Sequence, residues 1–112
     1  MEKKIIFLLL LLGIIFFLGC IGQKGIEIPD KDRAVSTCQE ECRSKLKEGV
    51  DLNNGPCLLN PISIVPDWVC DVAHEPRQSV DDDPKNQCSA FREGKAHHFV
   101  EVDPNCNLIR TW

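Results

Sequence analysis

Hydrophobic and polar positions fall into three patterns along this chain. The first is an unbroken apolar run from Ile5 to Leu18, which follows Lys3 and Lys4 and leads directly into Gly19 and Cys20. A basic start followed by an apolar segment is typical of an export signal, and this segment is short for a membrane span. The N-terminal pattern therefore predicts that the chain is exported.

The second pattern repeats apolar residues at helical spacing between Ala34 and Val50. These positions are Ala34, Val35, Cys38, Cys42, Leu46 and Val50. Residues three or four apart share one face of an α-helix, so the stretch predicts a single amphipathic helix. Thr37 would cap its start, or Asp30 would cap an earlier one, and Gly49 would end it.

The third pattern consists of short apolar stretches between turns, which predicts β-strands. The predicted strands are 62–65, 68–72, 89–92, 96–102 and 107–112. The stretches before and after the turn at 93–95 have the spacing of a hairpin. A long polar loop, 74–87, separates the second strand from the third. The predicted fold is α+β, with one N-terminal helix packed on a small antiparallel sheet and stabilised by disulfides.

Six cysteines follow the export signal. They are Cys38, Cys42, Cys57, Cys70, Cys88 and Cys106. An even number of cysteines in a short exported domain predicts disulfides, here three. A zinc or iron–sulfur site would require C-x-x-C spacing, which does not occur. Cys38 and Cys42 lie one helical turn apart with nearly parallel Cβ directions, so each is expected to bond to a different later segment.

The chain divides into a signal peptide (1–19), a lipid-anchored tether (20–32) and a disulfide-rich α+β domain (33–112). The segment Leu18-Gly19-Cys20 resembles a lipobox, in which cleavage precedes the cysteine and lipid is attached to its thiol, here Cys20. The alternatives are an uncleaved N-terminal anchor and a secreted product. The predicted location is the outer face of the cytoplasmic membrane, and all three alternatives lie outside the cytoplasm.

Charge narrows the range of partners. Without residues 1–19 the chain keeps eleven basic and sixteen acidic residues, a net charge of −5. A surface of that sign repels phosphate backbones, so nucleic acid is not an expected partner. The expected partners are the membrane, through the lipid anchor, and an envelope protein, a polymer or a small solute. No cofactor is expected.

The polar loop supplies most of a candidate binding surface. The surface comprises His74, Arg77, Asp81, Asp82, Asp83 and His97. A calcium loop that begins at Asp81 would need an oxygen ligand at its fifth position and glycine at its sixth, where Lys85 and Asn86 stand. The three aspartates are therefore interpreted as a solvated acidic loop.

The rival interpretation is a metal-binding or metal-dependent hydrolytic domain. Its candidate ligands are His74, His97, His98, Asp71 and Glu101. On a regular strand His97 and His98 point to opposite faces, and His97 lies about 13 Å from Glu101, so the strand alone cannot hold an ion. A zinc site would need three or more ligands within about 2–2.3 Å of one ion. Because no G-x-S-x-G or H-E-x-x-H motif occurs, an enzyme is the less favoured alternative and no catalytic residue is assigned.

Three stretches carry a family resemblance. They are GPCLLN (55–60), CDVAHEPRQSVDDDPKNQC (70–88) and EGKAHHFVEVDPNC (93–106). Together they resemble a group of small, cysteine-rich, uncharacterised archaeal lipoprotein-like proteins. The resemblance implies a membrane-facing, extracytoplasmic lipoprotein and transfers no catalytic residue. The expected function is a membrane-anchored lipoprotein that carries a small binding or structural module.

Overall fold

A computed structural model describes residues 25–112, so the predicted export signal, Cys20 and the first part of the predicted tether lie outside the described residues. The elements in chain order are helix α1 (Asp30–Lys47), strands β1 (Cys57–Leu59) and β2 (Trp68–Val72), 3₁₀ turns at Ser79–Asp82 and Pro84–Asn86, helical turn α2 (Ser89–Arg92), and strands β3 (His98–Val102) and β4 (Leu108–Thr111). No helix within this range is long and apolar enough to cross a membrane.

Helix α1 begins at Asp30, four residues before the apolar repeat at Ala34. Aspartates occupy its first turn and lysines its last turn, and both charges interact favourably with the helix dipole. Thr37 therefore lies inside the helix and does not cap it. The helix ends before Gly49, whose φ of 80° is the left-handed conformation that commonly follows a helix.

The four strands form one sheet in the order β1-β2-β3-β4. The two outer pairs are antiparallel, whereas the central strands β2 and β3 run parallel, with Trp68 opposite His98 and Val72 opposite Val102. The predicted α+β class, a helix packed on a small and mostly antiparallel sheet, is confirmed. The parallel central pair places residues of equal position in β2 and β3 side by side.

The predicted hairpin strand at 89–92 is wrong, because these residues form the helical turn α2. The side chain of Asn60 stabilises the start of this turn. Its Oδ1 accepts a hydrogen bond from the Ala90 N–H at 2.8 Å, and its Nδ2 donates to Ser89 Oγ at 2.7 Å. A cap supplied from about thirty residues away leaves no local pattern in the sequence of the turn.

The predicted strand at 62–65 is also wrong. The Val65 N–H donates to the Ile62 carbonyl at 3.2 Å, so the backbone folds into a turn and does not join the sheet. The Ile62 side chain is fully buried, which accounts for the apolar pattern without a strand. The edge of the sheet is formed instead by β1, which the pattern did not indicate.

The two faces of the sheet differ in how they are covered. Helix α1 packs on one face and encloses the main core, which includes Cys38, Cys42, Val72, Val100 and Val102. The other face carries a smaller cluster under α2, formed by Val69, Cys88, Ala90 and Ala96 with Cys57, Phe91 and Phe99 at its margin. Because α2 is only four residues long, it covers this second face incompletely.

Three disulfides join these layers: Cys38–Cys70, Cys42–Cys106 and Cys57–Cys88. The predicted number is confirmed, and the two helix cysteines bond to different later segments, as their geometry required. The first two disulfides attach α1 to β2 and to the turn between β3 and β4. The third ties β1 to the segment that enters α2, on the opposite face of the sheet.

Candidate functional site

Asp81, a member of the predicted binding surface, is a structural residue of the polar loop. Its side chain is buried (3% exposed) and accepts hydrogen bonds from the backbone N–H groups of His74 and Gln78, at 3.1 and 2.9 Å. Its Oδ1 also lies 2.9 Å from His74 Nδ1. Burial alone would raise the pKa of this carboxyl, but the hydrogen bonds from Gln78 and His74 hold the pKa below its ordinary value. Asp81 therefore holds the loop together from inside.

Asp82 and Asp83 also have partners in the loop itself. Arg77 Nε donates to Asp82 Oδ1 at 2.8 Å, and the Lys85 N–H donates to Asp83 Oδ1 at 3.1 Å. Within residues 25–112, no group of three or more histidine, cysteine, aspartate or glutamate side chains is placed to hold a metal ion. The described part of the chain therefore gives the metal interpretation no converging ligand set.

His97 lies apart from the rest of the predicted surface. It precedes β3 whereas His74 follows β2, so the two histidines lie at opposite ends of a parallel strand pair, roughly 17 Å long. His97 Nδ1 is 2.6 Å from the carboxylate of Asp67, a residue that the sequence did not single out, and His98 Nε2 approaches the same carboxylate at 3.5 Å. His98 Nδ1 also lies 3.0 Å from the Trp112 carbonyl oxygen. The structure thus divides the predicted surface into two separate places.

A different site opens on the sheet face away from α1. It is a cavity of about 560 Å³ between β2, β3, β4, α2 and the polar loop. Its apolar wall is formed by Val69, Cys88, Phe91 and Phe99, and its polar wall by Asp71, Arg77, Gln87, Arg92, Glu101 and Arg110. The rings of Phe91 and Phe99 meet edge to face, with centroids 5.1 Å apart. Incomplete cover by α2 is what leaves this space open.

Two acidic side chains form the polar floor of the cavity. Asp71 and Glu101 stand opposite each other in the parallel register of β2 and β3, so both project from the same face. Glu101 is buried (7% exposed), and one oxygen of each carboxyl, Asp71 Oδ1 and Glu101 Oε2, is buried without a hydrogen-bond partner among residues 25–112. Nearly all buried polar atoms in native proteins have such a partner. This pair is therefore the most unusual polar feature of the described fold.

The electrostatics of the pair determine the protonation state of Asp71. Burial, and next the negative charge of Glu101, raise the pKa of Asp71 to about 8. At neutral pH Asp71 is therefore an uncharged carboxylic acid, which has an O–H to donate, beside a carboxylate that accepts.

Arginines surround the charged member of the pair. Arg110 Nε lies 3.2 Å from Glu101 Oε2, and Arg77 Nη1 lies 3.6 Å from Glu101 Oε1. The Arg110 contact is an ion pair without the alignment of a hydrogen bond, since Oε2 has no hydrogen-bond partner. The third arginine, Arg92, donates to the Pro84 carbonyl at 3.4 Å. The cavity thus combines a neutral acid, a carboxylate, guanidinium donors and an aromatic wall.

The sequence patterns predicted only some of the residues that line this cavity. Asp71 and Glu101 were candidate metal ligands, and the structure does bring them together, although with arginines and not with histidines. Arg92, Arg110 and the aromatic wall were missed. A signal for the pair was present, because WVCDV and HFVEV each place an acid at the fourth position of an otherwise apolar or aromatic five-residue strand. An acid in each of two inner strands is typical of a functional site more than of a packed core.

The cavity, rather than the polar loop or the histidines, is thus the candidate site of this chain. It combines polar side chains with an apolar wall, which is the composition typical of small-molecule sites. Comparison of the chain with family models, with curated proteins and with solved structures finds no match. What the cavity does must accordingly be argued from its own residues.

Proposed function

We propose that the chain is an extracytoplasmic, lipid-anchored lipoprotein whose disulfide-stabilised domain binds a small solute in the cavity. The export-signal pattern and the lipobox-like segment ending at Cys20 support the location. The resemblance to archaeal lipoprotein-like proteins supports the same assignment. Three disulfides in so small a domain favour an oxidising compartment outside the cytoplasm.

The cavity carries the binding part of the proposal. A purely structural module would gain stability from apolar residues at the positions of Asp71 and Glu101, because a buried acid lowers stability unless it is fully paired. The chain instead holds both acids in an open cavity and surrounds them with arginines. An apolar space with a few convergent polar groups and a carboxyl of raised pKa is typical of a small-molecule site.

The anchor is tested by the Cys20→Ala variant. In an archaeal expression host, the wild-type protein is expected in the membrane fraction with the mass of a chain that begins at a lipid-modified Cys20, and Cys20→Ala is expected to lack the lipid mass, because the variant has no thiol to carry it. Fractionation and intact-mass measurement check this, with Ile21→Ala as the matched control that keeps the thiol. A wild-type protein in the membrane fraction that keeps residues 1–19 and carries no lipid mass would support an uncleaved anchor and contradict the lipid anchor. Recovery of the wild-type protein in the medium would show that the protein is secreted and would contradict the lipid anchor.

Binding is tested with a neutral aromatic probe, 2-naphthamide, added to the purified, non-reduced protein. A ligand of this size gains roughly 0.3 kcal/mol or more per heavy atom, which corresponds to a Kd on the order of 1 mM or lower. Saturable NMR shifts are expected at the backbone amides of Val69, Phe91 and Phe99, and none at Arg43 on the outer face of α1. Phe91→Ala should weaken the shifts. Saturable binding elsewhere, or no binding of either this probe or its acid, 2-naphthoate, would overturn the proposed cavity function.

A further inference from the structure

The cavity is locally basic on an acidic protein. Its lining has three arginines against the two carboxyls of Asp71 and Glu101, and Asp71 is uncharged at neutral pH. Arg77 is compensated, since its Nε donates to Asp82 and its Nη2 donates to the Asp81 carbonyl at 3.1 Å. Against the remaining carboxylate, Glu101, which Arg110 contacts, Arg92 and Arg110 together leave one positive charge in excess.

These two arginines retain unused donors. A guanidinium group has five N–H donors in a planar fork. Among residues 25–112, the guanidinium group of Arg92 makes one hydrogen bond, to the Pro84 carbonyl, and that of Arg110 makes one ion pair, to Glu101. Planar forks of this kind match the two oxygens of a carboxylate. The polar wall of the cavity is thus short of acceptors.

Cationic ligands and fully apolar ligands fit this cavity less well than anionic ones. A cation would meet the excess positive charge of Arg92 and Arg110. The carboxyl oxygens on the floor are buried, and Asp71 carries no charge at neutral pH that would attract a cation. A fully apolar ligand would leave the guanidinium donors without acceptors once it excluded water. The wall of Phe91, Phe99 and Val69 nevertheless requires an apolar body.

From this juxtaposition we infer that the cavity takes a small organic anion, in which a carboxylate or comparable planar anionic group meets Arg92 and Arg110 and an apolar body of ring size lies against Phe91 and Phe99. The inference rests on the proposed binding function and adds the chemical class of the ligand. It assigns Arg92 and Arg110 as ligand-binding residues.

The test compares two probes that differ in charge and little in shape, 2-naphthoate and 2-naphthamide, by calorimetry and NMR at pH 6. Charge-assisted hydrogen bonds are about twice as strong as neutral ones, so 2-naphthoate is expected to bind about tenfold or more tightly. Arg110→Gln should reduce the ratio of the two affinities, whereas Arg43→Gln, on the exposed face of α1, should preserve it. Equal affinities for the two probes would overturn the anion inference and leave the binding function standing. Failure of both probes would overturn the binding function itself.

A pH series gives a second, independent reading of the same site. Asp71 is faced by Glu101 from β3, Arg110 from β4, Arg92 from α2, and Arg77 and Asp81 from the polar loop. When the pH rises through about 8, Asp71 ionises and adds a negative charge to the cavity, so the affinity for 2-naphthoate should fall several-fold while that for 2-naphthamide stays level. Asp71→Asn should abolish the fall. An affinity for 2-naphthoate that is constant from pH 6 to pH 9 in the wild-type protein would contradict the titration of Asp71 beside the bound anion.

Discussion

Asp71→Asn is expected to remove most of the change in stability that the wild-type protein undergoes between about pH 4 and pH 8. In the native state the pKa of Asp71 is raised from 3.8 to about 8, whereas in the unfolded chain the ordinary value applies. Between these values the native protein keeps a proton that the unfolded chain releases. The free energy of unfolding therefore falls as the pH rises through this window, and levels off above about pH 8. One pKa unit corresponds to about 1.4 kcal/mol, so the total fall is on the order of 5 kcal/mol.

Urea unfolding of the non-reduced protein at pH 5, 7 and 9 measures this effect. Asparagine has nearly the same shape and cannot ionise, so the variant should be almost insensitive to pH in this range. Asp82→Asn, at an exposed position beside Arg77, is the matched control and should keep the wild-type slope. The lowered pKa of Asp81 acts in the opposite sense, since its stabilisation is lost as the pH falls below its ordinary value, and so it lies outside the window. Parallel profiles for wild type and Asp71→Asn would contradict the raised pKa.

Removal of the Cys42–Cys106 disulfide by a double alanine substitution is expected to cost about 4 kcal/mol. The two cysteines are 64 residues apart, and a longer closed loop restricts the unfolded chain more. This cost is a large part of the 5–15 kcal/mol that typically stabilises a domain. The side chains also lie in the core beneath α1, so the substitution removes packing as well.

The Cys57–Cys88 pair provides the comparison for this prediction. Its separation of 31 residues is about half as long, which lowers the loop contribution by roughly 0.6 kcal/mol. It also lies outside the main core, at the cavity. Denaturation of the two double variants should therefore rank Cys42–Cys106 as the more stabilising disulfide. Loss of Cys57–Cys88 should alter probe binding more than loss of Cys42–Cys106 does, because Cys88 lines the cavity. The reverse order of stability would contradict the assignment of the main core to the α1 face.

Local patterns in the sequence were enough to predict α1, β2 and β3, because the apolar periodicity within each of these elements indicates its type. They failed at α2, where the cap comes from Asn60, and at 62–65, where Ile62 is buried in a turn. The cavity depends on a still less local feature, the register of β2 against β3. Asp71 and Glu101 become neighbours only when these strands run parallel, since an antiparallel pairing would move the fourth residue of one strand away from the fourth residue of the other.

The arrangement of the three disulfides affects which residues of this protein can be substituted during evolution. Two of them fasten α1 to its side of the sheet, and the third fastens α2 on the other side. Residues such as Val69, Phe91 and Phe99 can therefore be exchanged without disturbing the layer that keeps the chain folded. A domain built in this way can acquire a new ligand preference by a few substitutions on one face, while its architecture stays the same.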